Sequence, residues 1–461
     1  MIDLAIVVIY LAVTFLLGVG QSKRSNSVQD FALGHQRCST ATLVATLFAT
    51  GIGGFSTLGV SERVFSVGIV FLFIFWGEPI SNLIAGQFLA PRVQRFKGMI
   101  SVGDMMGHFY GKPGTVVTGI AATLKCTGCV GGQIGALGYL LHLFFGWSQS
   151  ISLAIGYSVV IFYCSFGGMQ AVALTDVLQF SILILAIPTL LLVCVQKAGG
   201  WVHMLEHVPH THWMIPPAGT DGFQYMFSFI VLSIPFLTPP FAQRLLMAKD
   251  GQQARQSMFL TAAIGFPFFL ACALIGLTAL TLAPNIDPSV AMPYLANTML
   301  ISGIRGFALV GMLAIIMSTA DSFLHAASIA CVHDVIRPLW PNKITNSLEL
   351  RCTRIATFVL GYAAMAFPLW GGTLVDILFL AFHFWGPIVV PPLFAGLMGV
   401  RASTTAFIMA VVAGICYSAL HNIWLQPLVH VDSLLPATLL NAVVLWAVHT
   451  LQQRRAKRLL I

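Results

Sequence analysis

Charge is scarce in this sequence. Only 8% of its 461 residues are Asp, Glu, Lys or Arg, where a soluble globular domain carries about 25%. The deficit excludes a water-soluble enzyme or binding module, since 57% of the residues are hydrophobic and mean hydropathy is +0.88. No G-x-x-x-x-G-K-[ST] loop is present, so ATP is not expected to power the protein. No nucleophile-and-base constellation suggests an enzyme. The N-x-S/T sequon is missing too, which fits a bacterial inner membrane. The nine cysteines are odd in number and scattered through apolar runs, so no disulfide framework follows. Cys126 and Cys129 form a CxxC inside one such run and read as small packing residues. The first apolar run, Ile2 to Val19, lacks a basic start and an A-x-A site, so it reads as a retained span rather than a signal peptide.

What is abundant is apolar sequence of transmembrane length. A spanning helix needs about 20 such residues. The expected spans are 2–20, 38–60, 66–90, 114–145, 148–166, 168–195, 223–245, 256–283, 304–332, 353–371, 375–398, 404–422 and 436–452. Nothing between them is long enough for a soluble domain, so residues 1–461 read as one all-α polytopic membrane domain. The net charge of +8 is not a nucleic-acid footprint, because the basic residues cluster on alternate loops. These clusters are Lys23, Arg24 and Arg37; Arg92, Arg95, Lys97 and Lys112; Lys249 and Arg255; Arg337, Lys343, Arg351 and Arg354; and Arg454, Arg455, Lys457 and Arg458. Positive loops face the cytoplasm. The N-terminus is therefore expected outside and the C-terminus inside.

Two spans are rich in helix breakers. Span 38–60 carries Gly51, Gly53 and Gly54, and span 223–245 carries Pro235, Pro239 and Pro240. Counted from the second span, these are the first and sixth helices, the pair that a five-plus-five inverted repeat breaks. A broken helix in lipid is tolerated only where it lines a cavity or is buried in protein. Freed carbonyls near the hydroxyl pair Ser318-Thr319 would offer oxygen ligands to a small hard cation such as Na⁺.

Several motifs in order resemble the sodium:solute symporter family. The most specific is Tyr163-Cys164-Ser165-Phe166-Gly167-Gly168-Met169-Gln170-Ala171-Val172-Ala173-Leu174-Thr175-Asp176-Val177-Leu178-Gln179. Asp30-Phe31-Ala32-Leu33-Gly34, Met317-Ser318-Thr319-Ala320-Asp321-Ser322, Pro240-Phe241-Ala242-Gln243-Arg244 and Phe384-Trp385-Gly386-Pro387 fit other landmarks. The resemblance implies a LeuT-like architecture: a 5+5 inverted repeat over about 38–398, with one preceding and two following helices, about thirteen in all. It also implies secondary active transport of a solute with Na⁺. Carried over residue by residue, the family's sodium site maps to backbone carbonyls of Ala49, Ile52 and Ile315 and to the hydroxyls of Ser318 and Thr319. Asp176 matches the signature acid, which lies near that site in the family.

Charges at membrane depth default to functional hypotheses. Here they are Glu78, Lys125, Asp321 and Asp376. Glu78 either contacts substrate or pairs structurally, for example with Lys125. Gly53, Phe55, Gln133, Phe236 and His383 are further candidates for the substrate cavity, with a core role the alternative for His383. His203, His207, His210 and His212 crowd the long outside loop and are expected to be solvated there, with a metal pair of His203 and His207, one helical turn apart, the alternative. The expected function is Na⁺-coupled symport of a small organic solute: an amino acid, carboxylate, vitamin or quaternary amine. The partners are then the solute, sodium and the lipid bilayer, with no nucleic acid and no obligate protein. A proton- or other cation-coupled carrier of the same fold is the alternative, though neither hydroxyl is readily protonated or deprotonated. A non-transporting sensor is a further alternative, and would be expected to carry an added signalling domain.

Overall fold

The computed structural model describes residues 1–21, 27–34, 38–217, 222–366, 381–425 and 433–458. These residues are helical almost throughout, and no strand occurs among them beyond one isolated bridge between Lys97 and Met99. The principal helices, in chain order, are α1 (Ile2–Gly20), α2 (Thr40–Gly51), α3 (Gly54–Val67), α4 (Gly77–Ile84), α5 (Val102–Phe145), α6 (Gln149–Lys197), α7 (Gly222–Ser233), α8 (Pro239–Met247), α9 (Gly251–Leu282), α10 (Ile304–Ile329), α11 (Asn346–Ala364), α12 (Gly386–Leu397), α13 (Thr404–Leu420) and α14 (Leu434–Arg458).

Most helices that begin at an aqueous end carry a short polar cap. Ser39, Ser101, Ser148, Asp250, Thr345 and Ser403 each accept a hydrogen bond from a backbone N–H in the first turn. That satisfies donors which helix geometry would otherwise strand. Glycine sets two further boundaries. α6 carries a break at Gly168 (φ 62°, ψ −159°), a backbone region open essentially to glycine alone. The break falls between the two expected spans 148–166 and 168–195. In the same way, Gly111 (φ 70°) interrupts α5 shortly before the expected span 114–145 begins.

Among the described residues, six helices are long and apolar enough to cross a membrane, or seven if α2 and α3, bent by 55°, are counted as one span. α10 is the axis of the bundle. Some 94% of its most apolar window is buried, and it packs against α5 and α6. Polar contacts tie its two ends. At one, the Asp3 carboxylate accepts from Arg305 at 2.6 Å and from the backbone N–H groups of Gly303 and Gly306. At the other, His333 bridges Asp104 (3.0 Å) and Glu349 (2.6 Å), and Arg337 also reaches Glu349 at 2.8 Å. Asp104, His333 and Asp334 cluster closely, yet both ring nitrogens of His333 are already engaged, so this is an ion-pair knot. On the loop between α6 and α7, His203 and His207 stack at 3.8 Å while His207 Nδ1 faces the His203 carbonyl at 2.8 Å.

Candidate functional site

The first break is short. α2 ends at Gly51, and Ile52 and Gly53 are extended (Ile52 ψ 93°, Gly53 ψ −177°) before α3 begins at Gly54. The N-terminus of α3 has no cap of its own. Gln133, from α5, supplies it: the Gln133 amide oxygen accepts from the Gly54 N–H at 3.0 Å. Gln133 therefore both lines the cavity, as expected, and holds the half-helix end. The second break runs from Ile234 to Thr238, with Leu237 at φ 43°. Its freed Phe236 carbonyl accepts from the Trp385 indole at 2.8 Å.

Beside the first break, hydroxyls from α10 meet carbonyls from α2. Ser318 Oγ lies 2.9 Å from the Ala49 carbonyl and 3.0 Å from the Ile315 carbonyl. Thr319 Oγ1 lies 3.5 Å from the carbonyls of both Ala49 and Thr50. Every donor is a neutral oxygen, the chemistry that suits a small hard cation. The structure thus brings Ala49, Ile315, Ser318 and Thr319 together. Ile52 is buried next to them at the end of α2, but its carbonyl receives neither hydroxyl.

Asp176 does not touch this oxygen group. Its carboxylate is bound by Thr46 Oγ1 and by Arg244 Nη2 at 3.0 Å. Arg244 is fully buried and donates further to Ser322 Oγ (2.5 Å), Thr46 Oγ1 (2.9 Å), the Thr46 carbonyl (3.2 Å) and the Pro240 carbonyl (3.2 Å). Asp321 joins through Ser322 at 3.1 Å and accepts from Tyr163 at 2.5 Å. One guanidinium thus links α2, α6, α8 and α10, and Thr50 reaches Ser322 at 3.2 Å from the break itself. Arg244 is the residue that the sequence reading missed as a buried charge.

Between the two breaks lies a cavity of about 200 Å³. Gly53, Phe55, Glu78, Gln133 and Phe236 line it, as does Lys125. His383 is not among the lining residues, and its Nε2 lies 2.8 Å from Ser433 Oγ. Glu78 and Lys125 share the cavity without pairing to each other. Lys125 Nζ instead sits over the rings of Phe323 (4.0 Å) and Phe382 (4.8 Å). Ser81 and Asn82 complete the polar side of α4. Their spacing of three and four from Glu78, in a span otherwise apolar, is the signal that would have found them. Asp376 lies outside the described residues.

Known proteins resemble this chain in sequence and in fold. The chain is 22% identical over 429 residues to the osmoregulated proline transporter OpuE of Bacillus subtilis, covering 88% of this chain and 86% of that protein. It is 23% identical over 391 residues to the high-affinity choline transporter 1 of Drosophila melanogaster, covering 79% and 61% of the two chains. A solved structure described as the substrate-bound outward-open state of a Na⁺-coupled sialic acid symporter superposes with a TM-score of 0.80 at 18% identity, covering 98% of this chain and 97% of that one. The fold is thus that of LeuT-like transporters. A sodium:solute symporter family profile matches residues 31–414. With that match over most of its length, the chain belongs to the sodium:solute symporter family.

Proposed function

We propose that the chain takes up a small organic solute through the cavity between the two helix breaks, coupled to one Na⁺ held by Ala49, Ile52, Ile315, Ser318 and Thr319. Na⁺-coupled symport, rather than an enzyme reaction, follows from the family. The observation that supports the ion's position is Ser318 Oγ, within 3.0 Å of carbonyls on both α2 and α10. An ion there joins helices that belong to different halves of the repeat, so its occupancy biases their relative position. It does so only by its differential affinity for the two states. Moving one Na⁺ inward gains about 2.3 kcal/mol per 100 mV of membrane potential. That gain drives uphill uptake when the two movements are coupled. The protein is a multi-pass membrane protein. On the basic-loop alternation we place the N-terminus outside and the C-terminus in the cytoplasm of a bacterial inner membrane, with about thirteen spans.

The solute is small. The cavity between the breaks has a volume of about 200 Å³, room for a solute of a few heavy atoms to amino-acid size rather than a polymer. Two of the relatives are named for proline and choline, which supports an amino acid or quaternary amine among the expected solutes (amino acid, carboxylate, vitamin or quaternary amine) over a sugar needing many polar contacts. The test is uptake into proteoliposomes of labelled solutes with and without a sodium gradient, repeated with Ser318→Ala, Thr319→Ala and Thr319→Ser. Both alanine variants are expected to raise the apparent sodium constant strongly and to abolish concentrative uptake, while the serine variant, which keeps the oxygen, is mild. Wild-type sodium dependence in both alanine variants refutes the ion site.

A further inference from the structure

Most buried charges near the centre of this bundle have partners. Arg244 pairs with Asp176, and Asp321 accepts from Tyr163 and Ser322. Two charged groups in the cavity depart from this rule. Lys125 is fully buried, and its Nζ has no oxygen acceptor among the described residues. Glu78 makes no hydrogen bond or ion pair with any of them, and neither residue belongs to any of their ion pairs. A buried charge left without a partner is costly; Lys125 is buried and Glu78 half-buried, so an arrangement that keeps two unpaired groups of opposite sign in one cavity is complete only with its ligand.

The surroundings of Lys125 hold it in readiness. The faces of Phe323 and Phe382, 4.0 and 4.8 Å from Nζ, stabilise a cation but offer no negative charge. Lys125, Cys129 and Gln133 stand four residues apart along α5 and all line the cavity, so the ammonium and the amide that caps α3 share one wall. Glu78, on α4, supplies the opposing pole near Gly51. The rest of the wall is largely apolar, with Phe55, Phe75 and Phe236 among its larger side chains.

We propose that the cavity binds a zwitterion of amino-acid type, with its carboxylate on Lys125 and its ammonium on Glu78. This rests on the transport reading above and adds the charge pattern of the solute. The other small solutes each leave a charge opposed or unpaired. A quaternary amine satisfies Glu78 but brings a second cation to Lys125. A monocarboxylate satisfies Lys125 and repels Glu78. A neutral sugar neutralises neither. Such mismatches are how a site rejects the wrong ligand.

The test is sodium-driven uptake by the purified full chain in proteoliposomes. Probes are the twenty amino acids, choline, acetate and glucose, followed by the amide and the N-acetyl derivative of the best amino acid. One amino acid is expected to be taken up. Its amide, which lacks the carboxylate, and its N-acetyl form, which lacks the ammonium, should each compete about tenfold worse or more. Lys125→Met should raise KM for the amino acid about tenfold or more and close the gap to the amide. Glu78→Gln should close the gap to the N-acetyl form, and Lys125→Arg should keep the wild-type order. If Lys125→Met does not fold, Lys125→Gln and the analogue order in the wild type decide. Sodium-driven uptake of choline, acetate or glucose but of no amino acid overturns the assignment. So does unchanged KM and analogue order in folded Lys125→Met and Glu78→Gln. Failure to take up any probe with sodium is a different result, and overturns the transport reading itself.

Discussion

Arg244→Met tests whether the buried guanidinium organises the ion-site helices. The side chain is wholly buried and donates to acceptors on α2, α6, α8 and α10. Hydrogen bonds to a charged group contribute about 1.5–3 kcal/mol each, so a simple sum over its contacts would overshoot. Burying the guanidinium and the Asp176 carboxylate offsets several kcal/mol per ion. The net cost of removing one partner of such a pair is about 3–5 kcal/mol, because the other charge is left buried and uncompensated. Arg244→Met should therefore destabilise by about that amount. Asp176→Asn added to it removes the stranded charge and should restore part of the loss, with a coupling of about 1–3 kcal/mol in the double-mutant cycle. The assay is unfolding in mixed SDS micelles, followed by the fluorescence of the nine tryptophans. In folded variants, the apparent sodium constant for uptake should also rise, since Arg244 holds Thr46 on α2 and Ser322 on α10. A single variant costing under about 1 kcal/mol, or a double variant no more stable than the single one, would show that the ion pair does not organise the site.

Three further outcomes follow from local geometry. Gln133→Leu removes the acceptor for the Gly54 N–H, and should cost about 1–3 kcal/mol and weaken solute affinity; Gln133→Glu keeps an oxygen there and should be the milder change, checked by the same unfolding and uptake assays. Gly168→Ala places a Cβ 2.8 Å from Phe31 Cδ2 and 2.9 Å from its carbonyl at φ 62°, and should destabilise by roughly 1–3 kcal/mol from backbone strain alone; a wild-type unfolding midpoint would contradict this. Single cysteines at Lys97 and at His210, in a background stripped of accessible thiols, should label from opposite sides of the membrane, and same-side labelling would overturn the proposed topology.

The helix breaks were legible because their cause is local. Glycine at Gly51, Gly53 and Gly54 weakens a helix, and proline at Pro235, Pro239 and Pro240 removes backbone donors, and the structure breaks the helix at both places. The pairing of Ser318 and Thr319 with Ala49 was legible only through resemblance, because no local rule brings residues 269 and 270 positions apart into contact. Gln133 illustrates the limit in another way. Its place on a small-residue face suggested a cavity, but its role as the cap of another helix depends on the tertiary approach of α5 to the break.

Arg244 shows why buried charge is hard to read from sequence. It stands at the edge of the expected span 223–245, where an arginine reads as one whose head reaches the interface. The break at Ile234 to Thr238 shifts the following half-helix, so that α8 continues to Met247 and the guanidinium turns inward. Lys125 presents the opposite case. The sequence already marked it as a charge at membrane depth, with Glu78 as a possible partner, and the structure puts both in one cavity without joining them. Residues whose charge is satisfied within the protein, such as Arg244, hold the helices; those whose charge is not, such as Lys125 and Glu78, are left to meet the solute. That division follows from the cost of unpaired charge in a low-dielectric interior, and it separates scaffold from binding site without reference to any relative.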